Sequence, residues 1–128
     1  MKKFFIQGII AGILAAITSI IYFNLYQNTL GTSFETIINV GAIFGSSIFG
    51  CTLIAIANYF LYRFKKENLI GILNILIFVF SFISIVGVVG FSLPLDIESP
   101  ELFPGLAIPM HFFPALAYLT IHPFFEKK

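Results

Sequence analysis

The side chains able to do chemistry are few, and most of them are gathered in one stretch. His111, His122 and the carboxylates Asp96, Glu98 and Glu101 all fall between Pro94 and Pro123, which also holds all six prolines of the chain. Histidine titrates near neutral pH and ligates metals, and an ionisable side chain inside an apolar run is by default a candidate site for a proton, a cation or a polar small molecule. His111 is the leading candidate, with Asp96, Glu98 and Glu101 placed to form an anionic mouth above it. Pro109 and Pro114 each deprive the carbonyl four residues earlier, Gly105 and Met110, of its usual helical donor. That pattern predicts a kinked half-helix with free carbonyls beside His111. The competing reading is a histidine that merely bonds one of those carbonyls.

The other reactive groups have less support. His122 follows His111 by 11 residues, which on a straight helix is ~16 Å along the axis, too far for the two to share a metal. A position at a helix end, just before Pro123, suits a cation capping the helix dipole. Cys51 and the serines have no base at matching depth, so nucleophilic catalysis has nothing to stand on. No metal site and no cofactor is expected: a haem would need ligands from two chains. Ser99, Pro100 and Glu101 fit an N-cap, a first-turn proline and a first-turn acid, predicting a short turn to Phe103 that Pro104 and Gly105 then break.

The elements that must position these residues follow from the distribution of charge. Of 128 residues, 59% are hydrophobic and 10% charged, and mean hydropathy is +1.01, well beyond a soluble domain. No Lys, Arg, Asp or Glu occurs in 4–34, 36–62, 68–95 or 102–125. A membrane span needs about 20 apolar residues, and the runs are continuous rather than alternating, which favours helices over a barrel. The expected fold is all-α: one domain, a bundle of four transmembrane helices spanning about 4–26, 36–62, 69–93 and 106–125. Lipid is the surrounding partner, and nothing suggests nucleic acid.

All seven cations lie at Lys2, Lys3, Arg63, Lys65, Lys66, Lys127 and Lys128. The positive-inside rule therefore predicts cytoplasmic termini and a cytoplasmic middle connection. The first apolar run is longer than a signal peptide's core and is expected to remain as a helix. Tyr22, Phe23 and Tyr26 at one end of the bundle, and Tyr59, Phe60 and Tyr62 at the other, suit interfacial aromatic belts.

Small residues at four-residue spacing, Gly8–Gly12–Ala16, Gly41–Gly45 and Ala42–Ser46–Gly50, are expected to let helix backbones approach within the bundle, or else to form a dimerisation face. Polar residues at matching heights, Asn58 with Asn74, Cys51 with Ser81 and Asn24 with Asn39, are expected to bond across helices.

Span number and length resemble the small multidrug-resistance transporters, whose function is tied to a buried carboxylate in the first helix; here that helix offers only Gln7, Thr18 and Ser19. With the run IPMHFFPALAYL in its last helix, the chain more closely resembles the small uncharacterised four-helix inner-membrane proteins of bacteria, which implies an inner-membrane location and no particular chemistry. Two functions remain open. One is a non-enzymatic membrane component, such as an accessory or homo-oligomeric subunit. The other is a small-molecule, proton or cation handler built around the fourth helix and His111.

Overall fold

A computed structural model describes residues 1–126. Lys127 and Lys128, two of the cations used to predict orientation, lie outside the described residues. Four helices are long and apolar enough to cross a membrane: α1 (Lys2–Leu30), α2 (Val40–Arg63), α3 (Ile70–Val89) and α4 (Phe103–Phe125), the last two each entered through a single 3-10 turn. This is the build of a multi-pass membrane protein. The N-terminus, Glu126 as the last described residue, and the middle connection lie at one end, here the terminal end. The first and third connections lie at the other, the loop end.

The helix boundaries have local causes, and several differ from expectation. α1 runs on to Leu30, where Gly31 adopts φ 66° and returns its N–H to the Gln27 carbonyl at 2.9 Å, a left-handed cap that glycine makes without strain. α2 starts at Val40 rather than Thr36 because the Asn39 side chain accepts the Ala42 N–H at 2.8 Å, satisfying a first-turn donor. α3 stops at Val89. α4 starts early, at Phe103, and passes through Pro104 and Gly105, so the predicted break is absent: a proline in the first turn withholds an N–H that would have no helical partner anyway. The Ser99 side chain makes no capping bond. Pro123 does not end the helix either, since α4 continues to Phe125.

α1 is the hub. Its buried residues recur every three or four positions from Phe4 to Gln27, and its backbone packs against α2 and α4 rather than α3. Across an 18-residue stretch of each helix, 44% of α1 is buried within the protein but only 11% of α3. α3 leans on α4 and barely meets α2.

The small-residue ridges divide accordingly. A Cβ on Gly12 would lie 2.6 Å from Ile48 Cα, and one on Gly8 2.9 Å from Ala55 Cβ, so both glycines are close-approach positions between α1 and α2. Gly41 and Gly45 are not: nothing from another helix lies within 4 Å of either Cβ position. A Cβ on Gly50 would meet only Pro114 Cβ, at 3.8 Å, which is ordinary contact. Of the five glycines expected to let helices approach, Gly8 and Gly12 are the close-approach positions.

Two cores result. At the loop end Phe23, Phe34, Ile43, Val88, Phe103 and Leu106 pack together, with Phe34 edge-on to Phe103 at 5.6 Å. Phe23 is therefore core rather than belt. Toward the terminal end Ala11, Ala15, Cys51, Ala55, Ala117 and Tyr118 form a second cluster.

Candidate functional site

Because α2 and α3 diverge, an open cleft of about 790 Å³ lies between α2, α3 and α4. Its walls are mostly apolar, with the ridge Ala42–Ser46–Gly50 on α2, Ile77 and Phe80 on α3, and Met110 and Pro114 on α4. The second small-residue ridge therefore serves as cleft wall rather than as a helix contact.

A polar belt crosses this cleft. α1 runs antiparallel to both α2 and α4, meeting Ile48 through Gly12 and His122 through Gln7, so α2 and α4 run in the same direction. They touch where Cys51 Sγ donates to the Pro114 carbonyl at 3.4 Å. One turn back on each helix, Ser47 and His111 stand at similar depth, and both line the cleft. Phe82 of α3 meets Phe112 at 5.1 Å, bringing Ser81 and Ser84 to the same wall. The Ser46, Ser81 and Ser84 hydroxyls donate to carbonyls of their own helices at 3.2, 2.9 and 2.7 Å, keeping lone pairs free to accept. Among the described residues, neither the Ser47 hydroxyl nor the His111 ring has a hydrogen-bond partner. His111 lies eight residues into α4, about 12 Å below its start.

The expected free carbonyl at Gly105 is not free: the Tyr22 hydroxyl donates to it at 2.7 Å, and the Tyr26 hydroxyl donates to Leu102 O at 2.6 Å. Tyr22 and Tyr26 thus hold α1 to the proline-rich start of α4. A Cβ at Gly105 would displace the Tyr26 hydroxyl. Asp96, Glu98 and Glu101 are exposed on the third connection and its turn, with no ion pair or hydrogen bond to His111 among the described residues.

The predicted cross-helix polar pairs do not form. Asn58 donates to Ile54 O at 3.1 Å and Asn24 to Ile20 O at 3.0 Å, while Asn39 caps its own helix and Ser81 bonds Ile77 O. The α2–α3 pairs fail because those helices are apart at the cleft.

The most buried polar constellation is one that spacing along the chain did not reveal. At the terminal end Gln7 Nε2 donates to His122 Nδ1 at 2.8 Å across α1 and α4. Glu126 Oε1 lies 3.2 Å from His122 Nε2, off the line of a good hydrogen bond, and Tyr118 stacks on the His122 ring at 5.8 Å. His122 is thus a buried bundle residue rather than a solvent-facing cap. Gln7 on the hub helix was the available signal, a carboxamide in an otherwise apolar run. Asn58 and Tyr118 are buried beside this layer. No group of three or more His, Cys, Asp or Glu able to hold a metal occurs among the described residues. In comparisons with known proteins, the chain matches no family model, no curated protein and no solved structure.

Proposed function

We propose that this multi-pass membrane protein is a non-enzymatic binding component of a bacterial inner membrane, with both termini in the cytoplasm, that holds a bilayer-resident amphiphile in the cleft between α2, α3 and α4. The observation that carries this reading is the cleft itself. A space of about 790 Å³ falls in the range of small-molecule sites, apolar with a few placed polar groups. Its depth in the bilayer suits an alkyl or isoprenoid chain. Ser47 and His111 supply a donor and a donor–acceptor for a hydroxyl, carbonyl or amide on that chain. No hydrogen bond joins Ser47 to His111 among the described residues, so the two do not form an activated nucleophile–base pair, which favours binding over reaction.

The test fills the cleft. Gly50→Leu projects into open space, since a Cβ there meets only Pro114 Cβ at 3.8 Å. Native mass spectrometry of protein released from lipid nanodiscs should show an amphiphile retained by the parent and lost from Gly50→Leu, with the variant equally folded. Equal retention by both would overturn the reading.

A second reading, an accessory or homo-oligomeric subunit, is favoured by a separate observation. The Gly41–Gly45 face of α2 has nothing packed on it, and such a face is where another membrane helix approaches closely.

A further inference from the structure

We infer that the terminal end of the bundle contains a buried proton-binding site, His122, held between a carboxamide that can serve either protonation state and a carboxylate that opens to water. The argument starts from hydrogens. Gln7 Nε2 donates to His122 Nδ1 at 2.8 Å, so Nδ1 carries no proton in this arrangement. A neutral imidazole carries one N–H, so with Nδ1 accepting, the hydrogen lies on Nε2, on the side where Glu126 Oε1 stands 3.2 Å away. The ring is thus the neutral Nε2–H tautomer.

The Gln7 amide, however, is only half used. Gln7 is fully buried at 0% exposure, and its Oε1 has no partner among the described residues, an arrangement that ordinarily costs stability. Turning the amide over exchanges Oε1 and Nε2 without moving any other heavy atom. Oε1 then faces Nδ1, which must carry a hydrogen. Nε2 keeps its own hydrogen toward Glu126, so the turned amide corresponds to the imidazolium. Both protonation states are therefore accommodated by one side-chain flip, which neither a leucine nor a carboxylate at position 7 would allow.

The surroundings fit a proton arriving and leaving by one route. The His122 side chain is 9% exposed and that of Glu126 48%, so Glu126 joins the buried ring to the aqueous phase at the end of α4. The groups facing the site from the packed elements are uncharged on the inside: Gln7 from α1, Asn58 from α2 and Tyr118 from α4. Asn58 and Tyr118 are also buried, so the inner wall of the site is polar and uncharged. Among the described residues the charged group at the site is Glu126, and Lys3 stands further out, its Nζ over the Tyr62 ring at 5.9 Å. No metal need enter, and the ligand is a proton exchanged with the medium as His122–H⁺ ⇌ His122 + H⁺. This site differs from the cleft in location and ligand, so either can fail without the other.

The test is nitrogen-15 NMR of the protein in detergent micelles between pH 4.5 and 8.5, on a His111→Gln background that leaves a single imidazole. The expected result is one titration in which Nδ1 changes from an unprotonated acceptor to protonated while Nε2 stays protonated, with the Gln7 side-chain amide signals moving in the same step. Gln7→Glu, whose carboxylate can only accept, should keep both ring nitrogens protonated through the whole range. A ring that never changes state, an Nδ1–H neutral tautomer, or Gln7 amide signals that do not follow the ring would each overturn the proposal. The parent measurement decides the matter even if the glutamate variant does not fold.

Discussion

The two ends of this bundle are built on different principles. At the loop end large side chains fill the space: Phe23, Phe34, Phe103 and Leu106 meet Ile43 and Val88, so all four helices and the first connection contribute. Toward the terminal end the cluster is alanine, cysteine and one tyrosine, and α3 is absent. There the backbones of α1 and α2 come close enough that Gly8 and Gly12 have no room for a side chain. Between helices in lipid there is no hydrophobic drive, so packing must come either from bulky interdigitation or from close backbone approach. Only the second leaves a layer in which buried polar side chains such as Gln7 and His122 meet across helices. The tight end therefore carries the buried polar groups, and the bulky end anchors α3, whose divergence from α2 creates the cleft.

The sharpest way to break the comparison is to put bulk at the tight end. Gly12→Leu sets its Cβ 2.6 Å from Ile48 Cα, against backbone that cannot rotate away, and should destabilise the bundle by about 3 kcal/mol or more. Phe34→Ala removes a ring with 0% exposure from the bulky end and should cost about 3 kcal/mol. It should leave the Gln7–His122 bond in place, whereas Gly12→Leu should break it. Reversible unfolding in mixed micelles gives both stabilities. The NMR signal of the His122 ring reports which end has opened.

A third experiment concerns the join between α1 and α4. Pro109 leaves the Gly105 carbonyl without its helical donor, and the Tyr22 hydroxyl takes that place at 2.7 Å. Tyr22→Phe should cost roughly 1 kcal/mol, the scale of a hydrogen bond whose loss strands a backbone acceptor. Pro109→Ala supplies the missing N–H, so in that background Tyr22→Phe should cost much less. A double-mutant cycle measures the difference, and an interaction energy of zero would mean that the tyrosine and the proline are unrelated.

The number of helices was legible in the sequence because the charges that cannot be placed in lipid mark the connections. Helix faces were not legible. In water a helix advertises its buried side by contrast with its polar side, but in lipid both sides are apolar and the contrast disappears. That is why Gly8–Gly12 and Gly41–Gly45, the same motif on paired helices, could not be told apart although only the first is a contact. The same loss of contrast misplaced the histidines. His111 stood out for its proline neighbours and proves to line an open cleft. His122 read as a helix-end cap because nothing in its local sequence points 115 residues back to Gln7. Proline effects were legible only in part: the freed Gly105 carbonyl followed from Pro109, but its satisfaction by Tyr22 is a tertiary event.

The smallest expected effect is also the one that separates the two proposed roles of the protein. Gly45 has open space where a Cβ would go, so Gly45→Leu on an isolated chain should change unfolding stability by no more than about 0.5 kcal/mol, as for other substitutions away from packed features. The cost of a leucine there is different if a second helix lies on that face in the membrane, because bulk then separates two backbones that had approached closely. Replacing Gly45 by cysteine in a Cys51→Ser background, and oxidising in intact membranes and in dilute micelles, isolates this term. If the protein acts as an amphiphile-binding monomer, neither preparation should give a disulfide-linked dimer, and Gly45→Leu should retain the amphiphile as the parent does. Crosslinking in membranes that Gly41→Leu abolishes would instead assign the face to self-association and favour the oligomeric subunit.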